Sequence, residues 1–285
     1  MIELEEVPEL THTVLVAAFE GWNDAGEAAT AAIEHLETTW QATPVAAVDP
    51  EEYYDFQVNR PTVEIGEALT RHITWPTTRL SRARLPDGGR DVLLLHGVEP
   101  SMRWRTFCSE LLGFAGDLGV EMVVSLGSLL ADSPHTRPVP VTGVASDEAL
   151  VRSLTLEPSS YEGPTGIVGV LQDACGKEEV PAVSLWAAVP HYVAQTPCPK
   201  ATLALLSQVE DLLDVSVPLG DLPEQSRAWE RGVEELASQD DEVADYVRSL
   251  ERRNDETELP EASGEAIAKE FERYLRRRSQ GGDPS

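Results

Sequence analysis

Five short apolar runs alternate along this chain with helix-like patterns, and that alternation limits the folds it can adopt. The runs, rich in β-branched residues, are 14–19, 45–48, 92–95, 122–126 and 183–189, and the helix-like stretches are 25–40, 103–118, 166–174 and 201–213. Such an order builds a sheet whose two faces are both covered by helices. The sequence therefore predicts an α/β protein, a three-layer α/β/α sandwich in which all five runs share one mostly parallel sheet.

One stretch, residues 62–85, does not fit this alternation. It contains β-like pieces at 62–65 and 72–75. We interpret these pieces as a hairpin at the edge of the sheet.

After Pro223 the pattern changes to a narrow apolar stripe with four-three spacing, typical of a helix that buries one side. The stripe consists of Trp229, Val233, Leu236, Val243, Val247 and Leu250. It predicts one long helix over residues 224–250, interrupted only by the polar Asp240. The first three stripe residues are expected to be buried, either against the sheet domain or against another chain.

The chain thus divides into three parts: a sandwich domain over residues 1–220, an acidic helical extension over 221–278 and a disordered tail over 279–285. Within the extension, a polar linker at 254–264 precedes a second predicted helix. That helix repeats the same spacing at Ile267, Phe271 and Tyr274 and is expected to fold back on the first.

The formal net charge of the chain is −28. A surface this acidic repels nucleic acid and anionic headgroups, which are bound through Lys and Arg. No stretch approaches the roughly 18 apolar residues of a membrane span, and the first ten residues carry four glutamates where a signal peptide is basic and apolar. Three cysteines without Cys-x-x-Cys spacing indicate reduced thiols. We therefore expect a cytoplasmic protein that binds neither nucleic acid nor membranes.

Residues 19–29, Phe-Glu-Gly-Trp-Asn-Asp-Ala-Gly-Glu-Ala-Ala, lead from the first predicted strand into the first predicted helix. Gly21 and Gly26 have the four-residue gap of a P-loop, but Glu27 stands where that loop has its lysine. Asp24, followed three residues later by Glu27, has instead the spacing of a capping box. The motif favours helix initiation over nucleotide binding.

Polar side chains follow the ends of several predicted strands. Because the carboxyl ends of parallel strands share one edge, where ligand crevices form, we expect these side chains to line a crevice. Carboxylate, imidazole and guanidinium groups together can run general acid–base chemistry or hold an anion. The same residue types also cap helices and build buried polar networks, so both interpretations stay open. The candidate residues are Trp22, Asn23, Asp24, Glu99, His135, Arg137 and His191.

Motifs of familiar hydrolases are missing from the sequence. Ser125 and Ser128 do not lie in Gly-x-Ser-x-Gly, and no His-Glu-x-x-His occurs. The six histidines are scattered along the chain without metal-ligand spacing. The sequence therefore predicts no metal and no cofactor, and it identifies no catalytic residue.

Six strings, taken in order, resemble the proteasome assembly chaperone 2 family in its bacterial, actinobacterial-type branch. They are Gly-Trp-Asn-Asp-Ala-Gly at 21–26, Tyr-Tyr-Asp-Phe at 53–56 with Asn-Arg-Pro at 59–61, Gly-Val-Glu-Pro at 97–100, Pro-His-Thr-Arg-Pro at 134–138, Tyr-Glu-Gly-Pro-Thr-Gly-Ile at 161–167 and Trp-Ala-Ala-Val-Pro-His-Tyr at 186–192. The resemblance covers roughly residues 10–220, and the acidic helical tail looks like the extension of that branch.

This resemblance implies a nucleoside-phosphorylase-like sandwich that assembles into homo-oligomers, with a trimer favoured, and that binds protein partners such as proteasome subunits. Relatives that dock on the proteasome typically end in a hydrophobic-Tyr-x tail, whereas this sequence ends Gly282-Asp283-Pro284-Ser285, so docking by that tail is not expected. Two functions are weighed: a protein-binding assembly factor, which the resemblance favours, and an enzyme or small-ligand binder that uses the strand-end crevice.

Overall fold

A large central sheet organises the structure. The computed structural model describes residues 2–4, 10–66, 70–85, 89–145, 157–158, 161–193 and 196–258. Within these residues the strands, in chain order, are β1 Ile2–Leu4, β2 Thr13–Glu20, β3 Thr43–Val48, β4 Thr62–Ile65, β5 Arg71–Thr74, β6 Thr78–Arg84, β7 Asp91–Val98, β8 Val120–Ala131, β9 Val141–Ala145, β10 Glu157–Pro158 and β11 Ala182–Pro190. Nine of them form one sheet, and β4 pairs with β5 in a separate one.

Helices cover both faces of the central sheet. They are α1 Ala28–Thr39, α2 Trp104–Asp117, α3 Ile167–Lys177, α4 Pro199–Leu213, α5 Leu222–Ser238 and α6 Asp241–Glu258. One hydrophobic core lies between the sheet and α1 with α4, and a second lies between the other face and α2 with α3. The protein is thus a three-layer α/β/α sandwich with a mostly parallel central sheet, as the sequence predicts.

The strand order is β1-β3-β6-β7-β2-β8-β11-β9-β10. The four central strands β7, β2, β8 and β11 are parallel, and their middle parts are buried because helices cover both faces, whereas both ends of β8 are partly exposed. All five apolar runs lie in this one sheet, so that prediction is confirmed. β3 runs in the same direction as β7 but is separated from it by β6, which is antiparallel to both.

β6 is a strand that the apolar pattern does not predict. Its sequence, Thr-Arg-Leu-Ser-Arg-Ala-Arg, buries Leu80 and Ala83 but also carries three arginines. Arg82 donates to the buried carboxylate of Asp91 over 3.0 and 2.8 Å. A strand that alternates buried apolar residues with arginines carries a weaker hydrophobic signal in its sequence than the continuous apolar runs do.

The predicted hairpin forms, but not at the edge of the central sheet. β4 and β5 pair antiparallel, with Val63 opposite Ile73. They emerge between the end of β3 and the start of β6, where Thr77 Oγ1 donates to the carbonyl of Val48 at 2.5 Å. β3 runs in the same direction as the parallel strands, so it ends at the carboxyl edge of the sheet. The hairpin therefore projects from that edge.

The single long helix predicted over 224–250 is wrong, because the chain breaks between α5 and α6. Asp240 accepts hydrogen bonds from the backbone N–H groups of Glu242 and Val243 at 2.9 and 3.4 Å, so it caps a new helix. Val233 is buried and Trp229 packs on the core beside α4, as expected.

Leu236 contradicts the predicted stripe, since its side chain is 52% exposed and Ala237 is buried in its place. The buried residues depart from the predicted stripe because α5 and α6 are separate helices, and each packs through a face of its own. The second predicted helix, with Ile267, Phe271 and Tyr274, and the tail over 279–285 lie outside the described residues. The division into domains at residue 220 stays a prediction.

Candidate functional site

The polar residues predicted to line a crevice fall into two groups according to their contacts. The first, here called the cap cluster, contains Asn23, Asp24 and Glu99. The second, here called the clamp, contains His135, Arg137 and His191. Each group bonds to a different part of the chain.

Asp24 lies just beyond the end of β2 and holds the start of α1. Its Oδ1 accepts hydrogen bonds from the backbone N–H groups of Ala29 and Thr30 at 2.7 and 3.3 Å, and its Oδ2 accepts from the Thr30 hydroxyl. Ser128 Oγ, from the adjacent β8, lies 3.3 Å from the same Oδ1. Asp24 therefore initiates the helix, as the capping spacing indicates.

The cap differs in detail from a capping box. A short 3-10 turn, Ala25–Glu27, separates Asp24 from α1, with Gly26 and Glu27 in left-handed conformations at φ 62° and 52°. The carboxylate therefore reaches the N–H groups two and three residues beyond Glu27. Gly26 makes this turn without the steric cost that a side chain would add.

Burial raises the pKa of the Asp24 carboxyl from 3.8 to about 6, although its hydrogen bonds to Ala29, Thr30 and Ser128 oppose the shift. A carboxyl group with a pKa near neutrality has the property of an acid–base catalyst. Both of its oxygens, however, are engaged by donors of the same chain. The geometry therefore assigns the group first to holding α1.

Glu99, after β7, joins Asn23 to the start of α3. Its Oε1 accepts from Asn23 Nδ2 and from the backbone N–H of Ile167, both at 2.8 Å. A carboxylate at a helix N-terminus is favoured by the helix dipole. A Cβ on Gly166 would lie 2.2 Å from Asn23 Oδ1, so only glycine permits this approach. Trp22, next to Asn23, is 62% exposed.

His135 lies at the centre of the clamp and is buried. Its backbone N–H donates to the Tyr192 hydroxyl at 2.8 Å, and that hydroxyl lies 2.8 Å from His135 Nδ1. Glu234 Oε2, from α5, lies 2.9 Å from Nε2. One tautomer satisfies all three bonds: Tyr192 donates to Nδ1, and Nε2–H donates to Glu234.

Desolvation lowers the pKa of the His135 imidazole below its usual value, although Glu234 pulls in the opposite direction. A neutral ring is consistent with the tautomer above. With both nitrogens bonded within the chain, this imidazole has no free lone pair for a general base. It links the loop after β8 to α5.

Thr136 and Arg137 hold α6 onto the same loop. Thr136 Oγ1 donates to Glu251 Oε1 at 2.5 Å. The Arg137 guanidinium donates to both oxygens of Asp255, at 2.8 and 2.9 Å, and lowers the pKa of that carboxyl. This is a bidentate arginine–carboxylate pair, which fixes direction as well as charge.

Lys200, one of three lysines in the chain, completes the clamp from α4. Its ammonium donates to the carbonyl of His135 at 2.5 Å and to Glu230 Oε2 at 2.7 Å. The loop after β8 is therefore tied to both the sandwich and the helices that follow it.

His191 lies at the exposed rim of the clamp. Its Nδ1 is 3.3 Å from Asp132 Oδ1, and the same carboxylate oxygen accepts from the Tyr246 hydroxyl at 3.1 Å. The rings of His191, Tyr192 and Tyr246 pack edge to face, with centroids 5.5 to 6.0 Å apart. This contact is a further support of α6.

Several residues of these networks are missed by sequence reasoning. Thr30 and Ser128 belong to the cap cluster, and the clamp also uses Tyr192, Lys200, Glu230, Glu234, Glu251 and Asp255. The acidic face of the last helices is visible in the sequence, but no spacing shows which carboxylates reach residues a hundred positions earlier.

In the described parts of the chain, no group of three His, Cys, Asp or Glu side chains is arranged to hold a metal ion. No described helix is long and apolar enough to span a membrane. Cys108, Cys175 and Cys198 are free and buried.

Comparison with known proteins gives one consistent answer. The PAC2 family model matches residues 18–237. A PAC2 family protein from Streptomyces avermitilis is 63% identical, with a TM-score of 0.78, and the match covers 82% of this chain and 99% of that one. A proteasome-assembly chaperone homologue from Mycobacterium tuberculosis is 57% identical, with a TM-score of 0.77 over 82% of this chain and 99% of that one.

A more distant structure shares the fold. An archaeal proteasome activator from Pyrococcus furiosus is 17% identical, with a TM-score of 0.66 over 83% of this chain and 98% of that one. Among curated proteins, none matches the chain.

Proposed function

The chain belongs to the PAC2 family, and from this premise we propose that it is a protein-binding assembly factor. One similar protein is named a proteasome-assembly chaperone homologue, so proteasome subunits are the first partners to test. We propose that it works as a cytoplasmic homo-oligomer, with a trimer favoured.

This proposal rests on exposed apolar side chains that are concentrated at the carboxyl edge of the central sheet. Within the described residues, twelve large apolar side chains are exposed, and ten of them lie at or beyond the carboxyl ends of the parallel strands. Here called the apolar edge, they are Trp22, Val58, Val63, Ile65, Ile73, Trp75, Met102, Leu129, Leu130 and Tyr161. Exposed apolar surface gathered on one side of a protein is typical of a protein-binding surface.

The polar residues between these side chains support binding over catalysis. The carboxylates of Asp24 and Glu99 hold the starts of α1 and α3, and both ring nitrogens of His135 are bonded to the same chain. A catalytic acid or base needs an atom within reach of a substrate. Groups bonded in this way stiffen the edge and leave its apolar side chains to make contacts.

The charge of the chain adds selectivity to this surface. The net charge is −28, and exposed carboxylates of α5 and α6 include Glu235, Asp241 and Glu242. Such a field attracts basic partners and repels acidic ones over the range set by salt. A basic partner is therefore steered to the molecule before the apolar edge engages it.

The proposal is tested by capture of purified proteasome subunits on the immobilised full chain. In a Trp22→Ser, Tyr161→Ser double variant, we expect capture to fall by about tenfold or more, because aromatic anchors dominate interface energy. The matched control is Leu236→Ser on α5, where the apolar residue is 52% exposed against 62% for Trp22 and 65% for Tyr161, and it should capture like the wild type. The melting temperatures of all three proteins should agree.

Equal capture by the wild type and the Trp22 and Tyr161 variant would contradict the proposal. The enzyme alternative predicts a different result in a parallel melting screen with small molecules. A ligand-induced rise in melting temperature that Glu99→Gln abolishes, in a protein that captures no subunit, would assign the edge to a small ligand.

A further inference from the structure

The hairpin of β4 and β5 has one apolar and one polar face. Side chains alternate across a strand, so Val63, Ile65 and Ile73 share a face with Arg71. Thr62, Glu64, His72 and Thr74 occupy the other face. The three apolar side chains are 58%, 67% and 57% exposed, respectively. The pattern is that of a sheet with a buried face, yet the described part of the chain leaves that face open.

The hairpin has little support from the rest of the described chain. Its strands pair only with each other among the described residues. Its base is held by the rings of Phe56 and Trp75, whose centroids are 4.8 Å apart. An isolated two-stranded hairpin is marginally stable in water. An occupant that covers the apolar face whenever the protein is folded would provide the missing stability.

A second copy of the same chain meets that requirement, because it is present wherever the protein is. A client protein covers a surface only transiently. We propose that the apolar face of the β4–β5 hairpin docks onto a second copy of this chain, which gives the proposed homo-oligomer its contact. This inference rests on the homo-oligomer of the proposed function and divides the apolar edge. The exposed side chains from Val58 to Trp75 contact the second copy, and Trp22, Met102, Leu129, Leu130 and Tyr161 are left for a client.

Charge also favours this location for self-association. Two copies of a chain with net charge −28 repel each other over most of their surfaces. Between residues 58 and 75, however, Arg60 and Arg71 balance Glu64 and Glu67. Among the described hairpin residues, the charge on the apolar face is the single cation of Arg71, so two acidic chains approach there at a small electrostatic cost.

The size of the face agrees with this assignment. Together with Val58 and Trp75, the hairpin exposes on the order of 500 Å² of apolar surface, and interface cores are roughly 65% apolar. The implied contact is close to the about 800 Å² per partner of a standard interface. The face is thus large enough for a stable association.

The test compares two substitutions at adjacent positions on opposite faces of β5. Sedimentation of the full chain at micromolar concentration should show an oligomer for the wild type and for Thr74→Lys. Ile73→Lys should raise the dissociation constant by about 30-fold or more, since it places a charge in the buried centre of the interface. A monomeric wild type, or an Ile73→Lys protein that sediments like the wild type, would overturn the inference.

Thiol labelling keeps the test decisive if Ile73→Lys fails to fold. In full chains carrying Ile65→Cys, a thiol reagent should label the new cysteine slowly, because the second copy covers it, whereas Thr62→Cys on the opposite face should be labelled quickly. The native thiols are buried and free, so they should react slowly in both variants. Equally fast labelling of both variants would also overturn the proposal.

Failure of this interface is distinguishable from failure of the proposed function. Capture of proteasome subunits is measured through Trp22 and Tyr161, whereas the oligomer is measured through Ile65 and Ile73. A monomeric protein that still captures subunits would reject the self-docking face and keep the assembly factor.

Discussion

The cap cluster and the clamp are built from the same kinds of side chain, but they stabilise different parts of the molecule by different physics. Asp24 and Glu99 bond to backbone N–H groups inside the sandwich, and Asp24 is buried. Arg137 bonds to carboxylates of α6 at a half-exposed site, across more than a hundred residues. Burial makes the Asp24 carboxyl sensitive to pH, whereas the half-exposed pair of Arg137 and Asp255 is sensitive to salt.

This difference bears on how polar residues at a sheet edge should be interpreted. Asp24, Glu99, His135 and Arg137 all follow strand ends, where catalytic groups are commonly found. Here each is bonded to backbone or side chains of its own chain. Contacts, rather than residue types, distinguish an anchor from a catalyst.

The largest expected effect is the pH dependence that Asp24 gives to stability. Its folded pKa of about 6 is above the unfolded value of 3.8, so the folded state binds the proton more tightly. The stability that the Asp24 proton adds to the folded state is therefore fully present below pH 3.8 and is lost as the pH rises through 6. The full change is on the order of 3 kcal/mol in the free energy of unfolding.

This slope is measured by urea unfolding of the wild type and of Asp24→Asn between pH 4 and 8. The asparagine keeps an oxygen acceptor and does not titrate. The free energy of unfolding of the wild type minus that of the variant should fall as the pH rises. A constant difference would show that Asp24 titrates like an exposed carboxyl.

Replacing Asp24 with alanine should have the next largest effect. The backbone N–H groups of Ala29 and Thr30 and the Thr30 hydroxyl would lose their acceptor inside the protein. We expect a loss of about 2 kcal/mol in the free energy of unfolding, from the lost cap and the unpaired buried donors. The control is Glu27→Ala, an exposed acid in the same turn, which should change stability by less than about 0.5 kcal/mol.

The sequence predicts the sandwich because its central strands are continuous apolar runs, which burial on both faces requires. It predicts the role of Asp24 because a helix cap is local. It does not predict β6, where arginines interrupt the apolar pattern, or the exposure of Leu236, which depends on where the chain turns. The clamp is beyond sequence reasoning, since Arg137 and Asp255 are brought together only by the path of the whole chain.

Releasing α6 from the clamp should have a smaller, local effect. Arg137→Ala removes the bidentate bonds to Asp255, so amide hydrogens of residues 241–258 should exchange faster while those of the central sheet stay protected. The melting temperature should change by no more than about 2 °C, because the pair is half-exposed. Hydrogen exchange followed by mass spectrometry measures both regions in one experiment.

The salt dependence of amide exchange in α6 provides a second test of the clamp. Raising the salt concentration should speed exchange in α6 of the wild type and should leave Arg137→Ala almost unchanged. Arg248→Ala is the control, because Arg248 pairs with Asp245 inside α6 and does not reach the loop after β8. If Arg248→Ala released α6 as strongly as Arg137→Ala, the clamp would not be what holds the helix.

The smallest effect is expected at Asp240, where α5 ends and α6 begins. Its Oδ1 accepts the backbone N–H groups of Glu242 and Val243, and replacing such a cap with alanine costs about 1 kcal/mol of helix stability. Because Arg137 still holds the far end of α6, Asp240→Ala should speed amide exchange only in the first turn, near residues 241–245. Asp240→Ser, which keeps a capping oxygen, should restore most of the protection. Faster amide exchange along the whole of α6 in Asp240→Ala would instead show that the helix depends on its cap more than on the clamp. The contrast between the two clusters would then rest on the cap cluster alone.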